Sequence, residues 1–126
     1  RSVSRGLGDV YKRQVMKSAG TQMCSYNYIG DCASAIITVL INGKCGEAYN
    51  TANPDVRLTI AQLAEIIASA ANRKVVFADP DDVDLAYRTP IAKQVLSSKK
   101  LENLGWSGVF SAEIGVKHTL DILLGK

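Results

Sequence analysis

Apolar residues recur at helical spacing between Asp31 and Asn42, where they form one wide face. This width predicts a well-buried helix. Asp31 is expected to cap it by accepting hydrogen bonds from the first free N–H groups, and Gly43 to end it. The apolar positions are Ala35, Ile36, Ile37, Val39, Leu40 and Ile41.

Three further helices have local start or stop signals. Thr59 with Gln62 three residues later fits a capping box, which predicts a helix to about residue 72. A short helix is expected over residues 97–104, with Gly105 as its stop. Ser111 is expected to cap the last helix, with Glu113 placed favourably in its first turn. The inward stripe predicted for the Thr59 helix consists of Leu63, Ile66, Ile67 and Ala70.

Strand character alternates with these helices. Aromatic and β-branched residues predict a strand that follows a turn at residues 20–22 and ends at Ile29, and further strands over residues 15–16, 47–52 and 74–78. The strand, helix and strand between Tyr26 and Ala52 would form a βαβ-like unit, so the predicted fold class is α/β. Such a unit usually belongs to a larger parallel sheet than this chain supplies.

Composition and charge narrow the functional classes. The chain has 126 residues, 47% of them apolar and 21% charged, which is typical of a globular domain. No apolar run approaches the roughly 18 to 20 residues that cross a bilayer, and no signal peptide opens the sequence. The net charge of +3 comes from residues 1–14, so the body lacks the basic stripe expected of a nucleic-acid-binding protein.

The first 14 residues differ from the rest of the chain. They have no sustained periodicity, which predicts a disordered leader. Their sequence also resembles translated adapter read-through, which would make these residues an artefact. The alternative is a solvated basic tail. Residues 15–126 are therefore treated as the folded domain.

Three separated motifs resemble the C-terminal part of the extended short-chain dehydrogenase/reductase family, the NAD-dependent nucleotide-sugar epimerases and dehydratases. Residues 25–31 (Ser-Tyr-Asn-Tyr-Ile-Gly-Asp) resemble the family's Asp/Ser-Tyr-x-His/Tyr-Val-x-Asp segment. Residues 46–53 are similar to its strand that ends in Tyr-Asn. Residues 98–106 and 110–115 resemble its closing Lys-Leu-x-x-Leu-Gly-Trp and Leu-x-x-Gly-Leu signature. The match covers residues 15–124.

The resemblance implies the last elements of a Rossmann-type NAD(P)-binding protein together with a mixed α/β substrate-binding domain. It also implies NAD as cofactor, a nucleotide-sugar substrate, a cytoplasmic location and a possible homodimer. The sequence contains neither a glycine-rich dinucleotide turn nor a tyrosine with lysine four residues on. We therefore expect a fragment without catalytic residues, whose chemistry belongs to sequence upstream of Val15.

Candidate substrate contacts follow from the same resemblance. The family arginine that binds the nucleotide diphosphate corresponds to Cys24, which carries no charge and is otherwise a small buried residue. A second family arginine corresponds to Arg88, with Lys93 as a weaker alternative; either is otherwise a solvated surface cation. Tyr26 would contact the nucleotide or pack within the sheet. Asn53, at a predicted strand end, is a candidate cofactor contact or a turn residue.

Other chemistries find little support in the sequence. Cys24, Cys32 and Cys45 lack zinc-ligand spacing, and His118 is the only histidine, so no metal site is predicted and three free thiols are expected. Two hypotheses remain, a nucleotide-sugar enzyme fragment or a non-catalytic α/β interaction module derived from that fold. For either, residues 15–126 alone are expected to be poorly soluble or partly molten, since their helices lack a sheet to pack on.

Overall fold

The computed structural model describes residues 14–79 and 91–125. In these two ranges the chain forms five short strands and four helices. The strands are β1 (Gln14–Met16), β2 (Met23–Ser25), β3 (Arg57–Thr59), β4 (Val75–Phe77) and β5 (Lys93–Gln94), and the helices are α1 (Ile29–Asn42), α2 (Ile60–Ala70), α3 (Lys99–Glu102) and α4 (Ala112–Leu123).

The strands form two small sheets. β1 and β4 pair in parallel, with Val15 opposite Val76. In the second sheet β2 is central, antiparallel to β3 and parallel to β5. The strands predicted at residues 15–16 and 74–78 are thereby confirmed, and so is the α/β class.

The strand predicted between the turn at residues 20–22 and Ile29 is present as β2, but its predicted end is wrong. β2 ends at Ser25, Tyr28 is the N-cap of α1, and Ile29 already lies in the helix. The Tyr26 N–H still donates to the Val56 carbonyl at 3.1 Å, so the chain leaves the sheet directly afterwards. Strand propensity is outweighed here by tertiary context.

The large side chains of α1 are mostly exposed, so the prediction of a well-buried helix is wrong. Ala35 is its buried apolar residue, packed with Leu101 and Trp106, while Val39 is half-buried against that cluster. Five large residues on the other side are 55–79% exposed: Ile29, Ile36, Ile37, Leu40 and Ile41. The described residues hold no element that covers this side.

The strand predicted over residues 47–52 is absent. This segment has no regular secondary structure, so the βαβ-like unit lacks its second strand. A strand requires a second strand to pair with its peptide groups, and none of the described strands pairs with this segment; its polar contacts are from Asn50 to the Ser97 carbonyl and from Lys100 to the Ala48 carbonyl. Tyr49 nevertheless packs against the cluster around Trp106.

Two of the predicted helix starts, at the caps Thr59 and Ser111, are confirmed. Thr59 and Gln62 form both bonds of the capping box. The Ser111 hydroxyl accepts from the Ile114 N–H. α2 and α4 pack against each other. The stripe predicted for α2 is wrong in part, because Ile67 is 42% exposed and Ala70 is exposed.

The remaining boundaries follow the turn residues. α2 ends at Ala70, and Asn72 adopts a left-handed backbone with φ of 56°. α3 is shorter than the predicted helix over residues 97–104. Gly105 follows it with φ of 92°, a conformation that favours glycine over any residue with a Cβ.

Candidate functional site

Cys24 and Tyr26 lie together on one face of the three-stranded sheet. They are two residues apart on β2 and its continuation, so their side chains point the same way. Burial raises the pKa of the Tyr26 phenol above its ordinary value of 10.0, and the Cys24 thiol within hydrogen-bonding reach raises it further. The raised pKa favours the protonated phenol, which can donate a hydrogen bond.

Lys93 lies on the opposite face of this sheet. It pairs with Met23, whereas Cys24 pairs with Gln94, and neighbouring strand residues in register share a face. The Lys93 side chain is exposed and has no ion pair among the described residues. Arg88 falls outside the described residues. The structure thus brings Cys24 and Tyr26 together and separates Lys93 from them.

Asn53 is buried, with 3% of its surface exposed, and its amide is engaged in internal bonds. The Nδ2 donates to the Phe110 carbonyl at 3.1 Å and to Asp31 at 3.4 Å, and the Oδ1 accepts from the Asp55 N–H at 3.0 Å. Gly108 packs closely against Asn53, because a Cβ at position 108 would lie 2.5 Å from the Asn53 Nδ2. A cofactor contact by this side chain remains a prediction, and it would have to displace these bonds.

Asp31 has a role that the sequence did not indicate. It is 1% exposed and lies inside the first turn of α1, so the capping role predicted for it is wrong. Its carboxylate accepts from the Val109 N–H at 3.0 Å and from the Phe110 N–H at 3.2 Å. Asp31 thereby fastens the segment before α4 to the start of α1.

A cavity of about 360 Å³ opens between the sheet, α2 and α4. Its wall is mainly apolar, and aromatic rings form one side. The Tyr28 and Phe110 ring centroids are 4.8 Å apart. Residues that line it include Tyr26, Asn27, Tyr28, Leu63, Phe110 and Gly115.

Tyr28 connects this cavity to α4. Its hydroxyl forms a 2.5 Å hydrogen bond with the His118 Nδ1, and the two rings are 5.8 Å apart. Gly115 is required at the crossing, since a Cβ there would lie 2.9 Å from the Tyr28 ring. The residues in this contact are 90 positions apart, so no local pattern could have revealed it.

Asn27 carries the one buried and unpartnered side-chain amide found among the described residues. Neither its Oδ1 nor its Nδ2 has a hydrogen-bond partner, although Asn27 borders the cavity. A buried amide left without partners costs about 1 to 3 kcal/mol. This position is therefore a local weak point in the fold.

The described residues were also compared with the requirements of a metal site and of a membrane span. They contain no group of three or more histidine, cysteine or acidic side chains that could hold a metal ion. The three cysteines are free thiols, as predicted. No helix in the described ranges is both long and apolar enough to cross a membrane.

The amino-acid sequence is similar to that of one curated enzyme. The chain is 29% identical over 108 residues to a dTDP-glucose 4,6-dehydratase of Xanthomonas campestris, a match that covers 81% of this chain and 31% of the relative. No family model matches the chain. The chain thus spans about a third of the length of the curated relative.

Solved structures agree with this match in fold. A Bacillus anthracis dTDP-glucose 4,6-dehydratase in complex with NAD superposes with a TM-score of 0.73 and 18% identity, covering 94% of this chain and 37% of that one. A Thermotoga maritima UDP-glucose 4-epimerase with UDP-glucose gives 0.72 and 22%, covering 90% and 35%. A Bacillus cereus UDP-glucuronic acid 4-epimerase in complex with NAD and UDP-glucuronic acid gives 0.73 and 18%, covering 90% and 36%.

Sequence and structural neighbours point to the NAD-dependent epimerase/dehydratase family, the extended short-chain dehydrogenases/reductases. This agrees with the family resemblance drawn from the three sequence motifs. The solved structures also confirm the predicted fold class, a part of a Rossmann-type NAD(P)-binding protein.

Proposed function

We propose that this chain forms the C-terminal, substrate-binding part of an NAD-dependent nucleotide-sugar epimerase or dehydratase. The observation that carries the proposal is the superposition of about nine-tenths of the chain on roughly a third of such enzymes at TM-scores of 0.72 to 0.73. In this proposal the dinucleotide site and the hydride chemistry belong to other parts of the protein.

The described side chains agree with a binding role rather than a catalytic one. Tyr26 is held neutral by its surroundings, and Asp31 is committed to backbone N–H groups. Tyr28 and His118 bond to each other beside a mainly apolar cavity. None of these arrangements combines a nucleophile, a base and an open reaction centre.

We propose that Cys24 marks the place of the missing diphosphate contact. An arginine there would offer two parallel N–H donors to phosphate oxygens, which a thiol cannot do. Lys93 supports the alternative that another cation serves the substrate, because its side chain is exposed without an ion pair among the described residues. Arg88 stays a candidate from the sequence motif alone.

A gain-of-function substitution tests this proposal. In the complete enzyme, Cys24→Arg is expected to tighten binding of UDP-glucose or dTDP-glucose by about tenfold to a hundredfold, because charge-assisted hydrogen bonds contribute about 1.5 to 3 kcal/mol. Isothermal titration calorimetry measures the change. Cys45→Arg is the matched control, since Cys45 is an exposed cysteine outside the sheet. Equal affinities for both variants would reject the role assigned to position 24.

The complete reading frame decides between this function and the non-catalytic module. Source DNA upstream of Val15 is expected to continue the frame and to encode a glycine-rich dinucleotide turn and a Tyr-x-x-x-Lys pair. The protein expressed from that frame is expected to retain NAD and convert a nucleotide sugar. An initiation site close to Val15, with no such upstream sequence, would instead support the interaction module.

A further inference from the structure

The cavity between the sheet, α2 and α4 has a neutral wall. None of the described residues that line it carries a charge, and most of them are apolar. Transfer of a charged group into such surroundings is costly unless an opposite charge meets it there. The wall therefore disfavours a phosphate or a carboxylate and favours an uncharged ligand.

The volume of the cavity and its aromatic side define the size and shape of that ligand. A dry apolar cavity of about 150 Å³ holds one benzene ring. This cavity, at about 360 Å³, has room for two fused rings. The planes of the Tyr28 and Phe110 rings are inclined by 54°, so they offer a flat ligand both face and edge contacts. A flat compound of two fused rings therefore matches the cavity.

One polar side chain of the described wall differs from the others in having no partner. The hydroxyls of Tyr28, Ser111 and Thr119 each form a hydrogen bond within the protein. The Tyr26 hydroxyl interacts with a thiol of the sheet. In Asn27, by contrast, neither the Oδ1 nor the Nδ2 has a partner, and both atoms are closed to solvent. A buried amide of this kind is rare in folded proteins and calls for a reason.

We propose that this cavity binds a neutral lactam of two fused rings and that Asn27 recognises it. A lactam carries its N–H and its carbonyl side by side on one edge, which matches the Oδ1 and Nδ2 of an asparagine amide. Two hydrogen bonds form along this edge, and the rings lie against Tyr28 and Phe110. Because both polar atoms of Asn27 are closed to solvent, the amide turns toward the ligand, and the two new bonds offset the cost of that turn.

Ligand analogues test the chemistry of this site, which is independent of the proposed function. The probe is carbostyril, a neutral compound in which a benzene ring is fused to a lactam. We expect it to bind the full chain with one-to-one stoichiometry in isothermal titration calorimetry. N-methylcarbostyril lacks the N–H and quinaldate carries a carboxylate, so each should bind at least about tenfold more weakly.

Two results with these ligands would overturn the inference. Equal affinities for the three compounds would mean that an apolar surface adsorbs them without recognition. Displacement of carbostyril by excess UDP would mean that the cavity takes a charged nucleotide, contrary to its neutral wall. We expect UDP to leave carbostyril binding unchanged.

Asn27→Leu tests the recognising residue separately from the stability of the fold. The variant should bind carbostyril about tenfold more weakly, because both hydrogen bonds of the lactam edge are lost. Its loss of affinity for N-methylcarbostyril should be smaller, since that ligand forms at most one of the two bonds. Unchanged carbostyril affinity, or equal losses for the two ligands, would overturn the inference.

A larger side chain on α4 tests the location. Val116 lines the cavity, so Val116→Phe should fill part of it and weaken carbostyril binding by about tenfold or more. Ile114→Phe is the matched control, because Ile114 lies on the same helix, is 55% exposed and is outside the described wall. Urea titration checks that both variants fold, and equal carbostyril binding by the two would overturn the inference. Should Val116→Phe fail to fold, the comparison of the two ligands in Asn27→Leu decides.

Discussion

Removal of the Asp31 carboxylate should destabilise the fold more than any other single acidic substitution in the described ranges. Asp31→Ala leaves the N–H groups of Val109 and Phe110 without their acceptor, and both are partly buried. Bonds to a charged acceptor contribute about 1.5 to 3 kcal/mol each, but Val109 is 74% exposed and its N–H can recover a bond to water. The expected loss of unfolding free energy is therefore about 2 to 4 kcal/mol in total.

Urea titration measures this loss directly. Trp106 is the only tryptophan of the chain and is 5% exposed, so its fluorescence reports unfolding of the core. With an m-value of about 1.5 kcal/mol/M, the midpoint should fall by about 1.3 to 2.7 M. Asp31→Asn keeps one acceptor oxygen, so its unfolding midpoint should lie between those of Asp31→Ala and the unaltered chain. Asp55→Ala, on an exposed side chain, is the control. A midpoint for Asp31→Ala within 0.3 M of that control would refute the reasoning, given an m-value of about that size.

Three further substitutions have defined outcomes. Asn27→Leu replaces the unpartnered buried amide and should raise the unfolding free energy by about 1 kcal/mol in urea titration, whereas a loss would mean that the amide has a partner in solution. Thr59→Ala removes the capping box with Gln62 and should cost about 1 to 2 kcal/mol by the same measurement, and no change would contradict the cap. The carboxylate of Glu113 accepts hydrogen bonds from its own backbone N–H and from the Ser111 hydroxyl, and these lower its pKa below 4.5. The charged form therefore adds a small stabilisation to the fold above pH 4.5. This stabilisation is lost as the pH falls through the pKa of the folded state. Melting temperatures from pH 7 to pH 3 should fall less for Glu113→Gln than for the unaltered chain, and parallel curves would rule this out.

The two helix starts marked by a threonine or serine cap were predicted correctly, because such a cap is made by residues three positions apart, whereas the cap predicted at Asp31 was wrong. Thr59 with Gln62 and Ser111 with Ile114 are bonds of this kind, and both are present. Strands were predicted less well, because their existence depends on a neighbour elsewhere in the chain. Residues 47–52 have strand composition and no neighbour in the described ranges, so they form no strand.

The candidate site likewise combines contacts that a local sequence pattern predicts with contacts that it does not. Cys24 and Tyr26 are two residues apart, so their shared face followed from alternation along a strand. The bonds from Asp31 to Val109 and Phe110 span 78 and 79 residues, and no pattern within one element indicates them. Contacts of this range depend on how α1 and α4 cross, which the sequence periodicity of either helix leaves undetermined.

The two sides of α1 explain why its periodicity misled the burial prediction. One side holds Ala35 and Val39 against Trp106, and Ser34 accepts a hydrogen bond from the Trp106 indole at 3.0 Å. That side is sufficient to anchor the helix, so the opposite isoleucines contribute nothing to the chain by itself. An apolar stripe indicates that a helix face favours burial, but it does not identify the polypeptide that covers the face. Substitutions on α1 should therefore separate by side in urea titration: enlarging Ala35, which is 1% exposed, should lower the unfolding midpoint, whereas a lysine at Ile41, which is 74% exposed, should leave it unchanged.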